Sequence, residues 1–299
     1  MTKGFIKLTV LLLIGSIFVV SCKSKTKKQT QIVVADTTIT ENIKFCESTY
    51  PYQGGLLIAN FGTETLNPLN NEGKGYIAYN KEGKTTVFIP VDGNLSAPKG
   101  MLEKEGYLYI CDVNKVLVYN LKDLKATPQV IPFNEGELFV NDIALFNNNL
   151  IVSVTNTGNL FKIDLTNQAN LKADLWCNVV GANGVLVKEN QIYVASYPAD
   201  GLTTENNVVY VIDDFNAPNP QKLMDRAGQY DGIVISKDAK TLYVTNWSPA
   251  EVISIDLATK AIKNVDIKEK MIGPADLSII DDVLFIPDLP NSRVIVKAL

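Results

Sequence analysis

The 299-residue chain contains no histidine. That absence removes Ser-His-Asp and Cys-His nucleophile systems, histidine general bases and histidine-ligated zinc. Cysteine is scarce as well: Cys22, Cys46, Cys111 and Cys177 include no CxxC pair. Neither a thiolate metal site nor a disulfide framework is indicated, and Cys111, inside "YLYICD", reads as a small buried side chain. Positive charge is lacking in the body of the chain. Six of the 28 Lys and Arg residues fall in the first 30 positions, so residues 31 to 299 carry the remaining 22 against all 32 Asp and Glu, a formal charge of −10. A nucleic-acid partner, whose affinity rests on phosphate neutralisation, is not expected. Long amphipathic helical patterns are missing too, which disfavours an α/β barrel of similar length.

The longest apolar run, Leu8 to Val20, follows Lys3 and Lys7 and is shorter than the roughly 20 residues that cross a bilayer. It suits a secretory signal. Its ending, Val19-Val20-Ser21-Cys22, resembles a bacterial lipobox, which implies cleavage before Cys22 and lipidation of that residue. An ordinary signal peptide with an incidental cysteine is the alternative. The next stretch, "KSKTKKQT", has four lysines and no apolar residue, so it cannot fold alone and acts as a solvated tether or attracts anionic headgroups. The expected organisation is a signal peptide over 1–21, lipidated Cys22 with a basic tether over 22–30, and one domain over 31–299. A monomer lipid-anchored on the bacterial cell envelope is expected.

What is present is a phrase repeated six times. "CESTYPYQGGLLIANF" begins at Cys46, "APKGMLEKEGYLYICD" at Ala97, "VNDIALFNNNLIVSV" at Val140, "ANGVLVKENQIYVAS" at Ala182, "YDGIVISKDAKTLYVTNW" at Tyr230 and "ADLSIIDDVLFIPD" at Ala275. Each copy has a polar residue, a strand, a tight turn and a second strand. Third strands follow ("GYIAYNKEG", "KVLVYNLKD", "NLFKIDLTN", "VVYVIDDFN", "EVISIDLAT", "SRVIVKAL"), and five copies add a fourth, such as "KTTVFIP". Four strands per unit of roughly 40 to 50 residues is the period of a propeller blade. The fold expected is all-β, a six-bladed β-propeller. Its last unit has three strands, and "TTITENIKF", Thr37 to Phe45, is the N-terminal strand that completes it.

In a propeller the first strand of each blade lines the central channel, so the residues that open these strands converge at one mouth. They are Glu47, Lys99, Asn141, Asn183, Asp231 and Asp276, with Asp142 beside the third. Carboxylates and amides together offer the hard oxygen ligands that Ca²⁺ and Mg²⁺ prefer. A merely wet, polar channel mouth is equally consistent with the composition. Lys99 either neutralises a carboxylate without metal or orients an anionic substrate. The second-to-third-strand connections "NFGTETLNPLNNEGKG" and "YPADGLTTENN" are long enough to wall a pocket, with Trp247 in "NWSPA" as an apolar face, or are ordinary long hairpin connections.

These residues resemble the gluconolactonase and regucalcin family of six-bladed propellers, over the whole body of the chain. Members hold a divalent cation with a glutamate in an E-[GS]-P-like opening, an asparagine in an S-N-G-like motif and an aspartate in a P-D-G-like motif. Here Glu47 opens "ESTYP", Asn183 sits in "ANG" and Asp231 in "YDG", in units one, four and five as in the family. The resemblance implies a Ca²⁺ or Mg²⁺ site at Glu47, Asn183 and Asp231. It further implies a substrate-contacting Asn141 in "VNDIA", and hydrolysis of a lactone or ester with Asp231 or a metal-bound water in the proton role. Sugar lactonases of the family often carry an arginine two residues before that asparagine, where this chain has Phe139, and an acidic contact downstream that "SVTNTGNLFKID" does not offer. Both departures argue against sugar-acid lactones. A propeller that binds a ligand or partner protein without catalysis is the alternative.

Overall fold

Five of the six sequence units each fold as a four-stranded antiparallel sheet, the sixth supplies three strands of another, and the six sheets are the blades of a six-bladed propeller. The computed structural model describes residues 36–299; the expected signal peptide, the expected lipidation site Cys22, the expected tether and residues 31–35 of the expected domain lie outside the described residues. The innermost strands of blades 1 to 6 are Cys46–Tyr52, Pro98–Lys104, Val140–Phe146, Ala182–Lys188, Tyr230–Ile235 and Ser278–Ile280. Several hairpins turn on two residues that both have positive φ, as at Gln53-Gly54 (44° and 75°) and Glu105-Gly106 (55° and 83°). That turn geometry matches the right-handed twist of the strands it joins. A single short 3₁₀ turn, Leu289–Asn291, is the helical content among the described residues.

Blade 6 takes its outermost strand from the other end of the described chain: Thr37–Ile39 pairs antiparallel with Arg293–Ala298, with Thr37 opposite Val296 and Ile39 opposite Val294. The strand is shorter than the expected Thr37 to Phe45. Asn42 and Phe45 adopt φ of 54° and 50°, a left-handed conformation that no strand continues through. The turn is tied to blade 1 instead, where Asn42 Nδ2 donates to Thr85 O at 2.9 Å and Thr85 N donates to Glu41 Oε2 at 3.3 Å.

The core lies between blades. Ile151, Leu160, Val194, Val209, Tyr230, Val244 and Ile253 are completely buried in one cluster spanning blades 3 to 5. Removing each such aliphatic side chain from water is worth roughly 1.5–3 kcal/mol, and it is this inter-blade packing that holds the channel-lining strands in position. The seam between blades 6 and 1 adds polar ties: Asp276 N donates to Glu47 O at 2.9 Å and Thr49 N donates to Asp276 O at 3.3 Å.

Candidate functional site

Pairing registers identify equivalent positions in the blades. Cys46 faces Asn60, Pro98 faces Asp112, Val140 faces Val154, Ala182 faces Ser196 and Tyr230 faces Asn246, each just before a β-bulge. In blade 6 the bridge between Pro274 and Asp288 holds that place. The residues that follow form an upper ring: Glu47, Lys99, Asn141, Asn183, Asp231 and Ala275. Those one further along form a lower ring: Ser48, Gly100, Asp142, Gly184, Gly232 and Asp276. Each bulge adds one residue to the inner strand, and the channel is thereby lined at two levels.

This register corrects the expected ring in one member. Asp276 is the equivalent of Asp142 and not of Asp231; the sixth upper position is Ala275. Accordingly, Glu47, Asn141, Asn183 and Asp231 line one cavity of about 320 Å³, whereas Asp142 and Asp276 line a separate cavity of about 300 Å³ among the apolar residues of the innermost strands. Asp142 is engaged in joining blades: its Oδ1 accepts from Ile143 N at 2.7 Å and its Oδ2 from Val185 N at 2.6 Å. Lower-ring glycines make room for this, since a Cβ on Gly100 would strike Asp142 and one on Gly232 would strike Asp276.

The upper ring is positioned by a latch repeated around the propeller, which the sequence reading missed. A polar side chain at or just beyond the end of each second strand bonds the backbone entering the inner strand. Asn60 accepts from Lys44 N at 2.9 Å, Asp112 from Ala97 N at 2.6 Å, Asn156 from Phe139 N at 3.1 Å, Asn246 from Gln229 N at 2.8 Å and Asp288 from Gly273 N at 3.1 Å. Ser196 instead donates to Val180 O. The signal was available in "IAN", "ICD", "VAS", "VTN" and "IPD", where an apolar strand ends on a polar residue. Two hydroxyls then fix ring carbonyls across seams. Ser153 Oγ donates to Asn183 O at 2.5 Å and Thr245 Oγ1 to Ala275 O at 2.9 Å.

The polar floor of the upper cavity has an unusual accounting. Six buried side-chain oxygens lack a hydrogen-bond partner among the described residues, and four of them are Glu47 Oε2, Asn141 Oδ1, Asn183 Oδ1 and Asp231 Oδ1. Buried acceptors left without partners are costly and rare, so four converging on one cavity point to something bound there. Among the described residues no three His, Cys, Asp or Glu side chains group as a metal site; the cavity offers two carboxylates, Glu47 and Asp231, and two asparagine amides, Asn141 and Asn183.

Lys99, completely buried, does not neutralise this floor by contact. Its Nζ donates to Ala97 O at 2.8 Å and Pro68 O at 3.1 Å, and lies 5.2 Å from the Phe139 ring centroid and 5.5 Å from that of Phe61. Burial pulls its ammonium pKa down, opposed chiefly by the Glu47 charge. Burial likewise pushes the Asp231 carboxyl up to about 8 and Asp142 up to about 7, and holds Glu47 and Asp276 well above the usual carboxyl range.

Side chains from several blades wall the upper cavity: Leu66 and Pro68 from the first long connection, Tyr197 and Ala199 from the second, and Phe139, Trp247 and Leu289. Trp247 is seated on Gly273, where a Cβ would meet the indole, and its ring meets Tyr197 edge to face at 6.4 Å.

No protein-family model matches the sequence, and no curated protein matches it. Solved structures share the fold. One is a catalytically inactive histidine-to-alanine virginiamycin B lyase from Staphylococcus aureus with quinupristin, at 11% identity and TM-score 0.60 over 88% of this chain and 98% of that one. A streptogramin B lyase aligns at 13% identity and TM-score 0.59 over 88% and 98%. A chain of a nidogen/laminin complex aligns at 12% and 0.60 over 85% and 88%. At these identities the likeness is one of fold.

Proposed function

We propose that this propeller is a divalent-cation-dependent hydrolase of lactones or esters, of the gluconolactonase and regucalcin type, tethered to the bacterial envelope through Cys22. The observation that carries the reading is the set of four unpartnered oxygens on Glu47, Asn141, Asn183 and Asp231 facing one cavity. Their chemistry, two carboxylates and two amide oxygens, fits Ca²⁺ or Mg²⁺. Glu47, Asn183 and Asp231 would hold the cation, with Asn141 beside it. Bound there, a divalent cation supplies Lewis-acid polarisation of a carbonyl and stabilises the charge that develops on its oxygen.

The chain's own groups account for the rest. Asp231, whose carboxyl lines the cavity, would take the proton that the attacking water gives up and pass it on, as a general acid-base group must. Asn141 presents an amide whose oxygen has no protein partner and orients the substrate. Water adds to the carbonyl carbon, the C–O bond to the leaving oxygen breaks, and that oxygen takes the proton, giving an acid and an alcohol, or a hydroxy acid from a lactone. The lyase neighbour whose histidine-to-alanine form is catalytically inactive offers no chemistry to borrow, because this chain has no histidine.

A second reading, a non-catalytic binding propeller, is favoured by Phe139 standing where sugar lactonases of the family often carry arginine. A panel of lactones and esters assayed with Ca²⁺, with Mg²⁺ and with chelator separates the two. Chelator-sensitive turnover of any member supports the hydrolase, and a panel without turnover in every condition supports the binding platform.

A further inference from the structure

The proposed hydrolysis says nothing of which lactone or ester enters, and the walls of the upper cavity answer that. We infer that its ligand has an apolar alkyl or aryl body carrying a single lactone or ester group, and is not a polyhydroxylated sugar lactone. For the reactive group this rests on the hydrolase reading; for the body it rests on the walls alone.

Above the four floor oxygens the cavity presents Leu66, Phe139, Tyr197, Trp247 and Leu289. The nearby cation is withdrawn: two of the three Lys99 donors are taken by Ala97 O and Pro68 O, and its charge lies against the Phe61 and Phe139 rings. Hydroxyls spread around a sugar ring would therefore be desolvated against aliphatic and aromatic carbon with few partners, a cost that an alkyl or aryl body does not incur. Trp247 is held as a rigid wall by Gly273 and Tyr197. The apolar character continues outward, because Leu69 and Leu202, on the same long connections as Leu66 and Ala199, are exposed. A volume of about 320 Å³ is that of about ten liquid waters at roughly 30 Å³ each, the size of one small ring with a short tail.

The test uses three δ-lactones with the same reactive ring: δ-valerolactone, δ-decalactone, which adds a pentyl tail, and D-glucono-δ-lactone, which has as many non-hydrogen atoms as δ-decalactone but adds a carbon and hydroxyl oxygens in place of the tail. Binding is read from tryptophan fluorescence in a Trp176→Phe background. Of the two tryptophans, Trp247 lines the cavity, whereas Trp176 donates to Phe215 O at 2.8 Å and stacks on the Phe215 ring at 5.2 Å. The expected result is saturable quenching by δ-decalactone at a Kd at least about tenfold below that of D-glucono-δ-lactone, the scale on which apolar pockets discriminate. Leu66→Asn, at a position exposed enough to tolerate it, should weaken δ-decalactone and leave δ-valerolactone unchanged. Equal or tighter binding of the sugar lactone, an indifferent Leu66→Asn, or no quenching by any of the three overturns the inference. Hydrolysis is followed separately as acid release with Ca²⁺, Mg²⁺ or chelator. δ-Decalactone that binds but is not opened in any condition sinks the hydrolase reading and leaves the assignment of the cavity standing.

Discussion

Ser48 Oγ donates to Asp276 Oδ2 at 2.6 Å, a buried hydrogen bond between the first blade and the last. It sits one residue past Glu47, whose carbonyl accepts from Asp276 N, so the seam that closes the propeller also fixes one wall of the candidate site. Ser48→Ala leaves a buried carboxyl oxygen without its partner and should lower stability by about 1–3 kcal/mol, read as a lower urea midpoint at unchanged slope. An unchanged midpoint would mean that the seam is held by backbone bonds alone.

The outer strand Thr37–Ile39 covers the edge of Arg293–Ala298. A chain beginning at residue 41 should expose that edge, melt at a lower temperature and self-associate on size-exclusion chromatography, since an uncovered edge strand templates pairing with another chain. A monomeric truncated protein with the full-length melting temperature would contradict this role.

The blade count was legible because a buried strand, a turn and a second strand leave a two-residue alternation that recurs at blade spacing. The level of Asp276 was not. "YDG" and "ADL" look alike as text, yet the bulge after Tyr230 and the bridge at Pro274 place their aspartates one residue apart along the channel. Bulges depend on inter-strand register, which a single strand's composition does not carry. The stretch from Thr37 to Phe45 alternates throughout, but alternation is blind to the positive φ of Asn42 and Phe45. The unpartnered oxygens could not be read from sequence at all, because they are defined by what fails to reach them.

Asp231 and Asp142 give the metal-free protein a specific pH dependence. Their folded-state values, about 8 and about 7, lie above the ordinary 3.8, so the folded chain binds protons that the unfolded chain releases. This contribution to stability is fully present below pH 4 and is lost as pH rises through 7 to 8. In chelator the melting temperature should therefore fall between pH 5 and pH 8.5, and Asp231→Asn should flatten the fall. A wild-type melting temperature that rises over this interval would contradict the buried, protonated carboxyls.

Anchoring is tested independently of the site. Cys22→Ser should abolish incorporation of labelled fatty acid and release the expressed protein from the membrane fraction. A Cys22→Ser protein that still takes up label would refute the lipobox reading.

The metal site itself turns on charge. A cation that binds only the folded chain raises its stability by RT ln(1 + [L]/Kd), roughly 2.7 kcal/mol at a hundredfold excess over Kd. Wild-type protein should melt higher in millimolar Ca²⁺ or Mg²⁺ than in chelator, and the gap should widen with pH as Glu47 and Asp231 release protons to the ion. Asp231→Asn keeps the shape of the floor and removes one charge, so most of the gap should vanish. Asn183→Asp adds a charge at the same ring level and should restore part of it in the double variant. Lys99 supplies the competing account, because its ammonium lowers the pKa of both Glu47 and Asp231 through space. If Lys99 alone balances the floor, wild-type stability will be indifferent to both ions and to chelator. Such a flat response at pH 8.5, above the Asp231 value of about 8, would falsify the cation site and the hydrolase built on it.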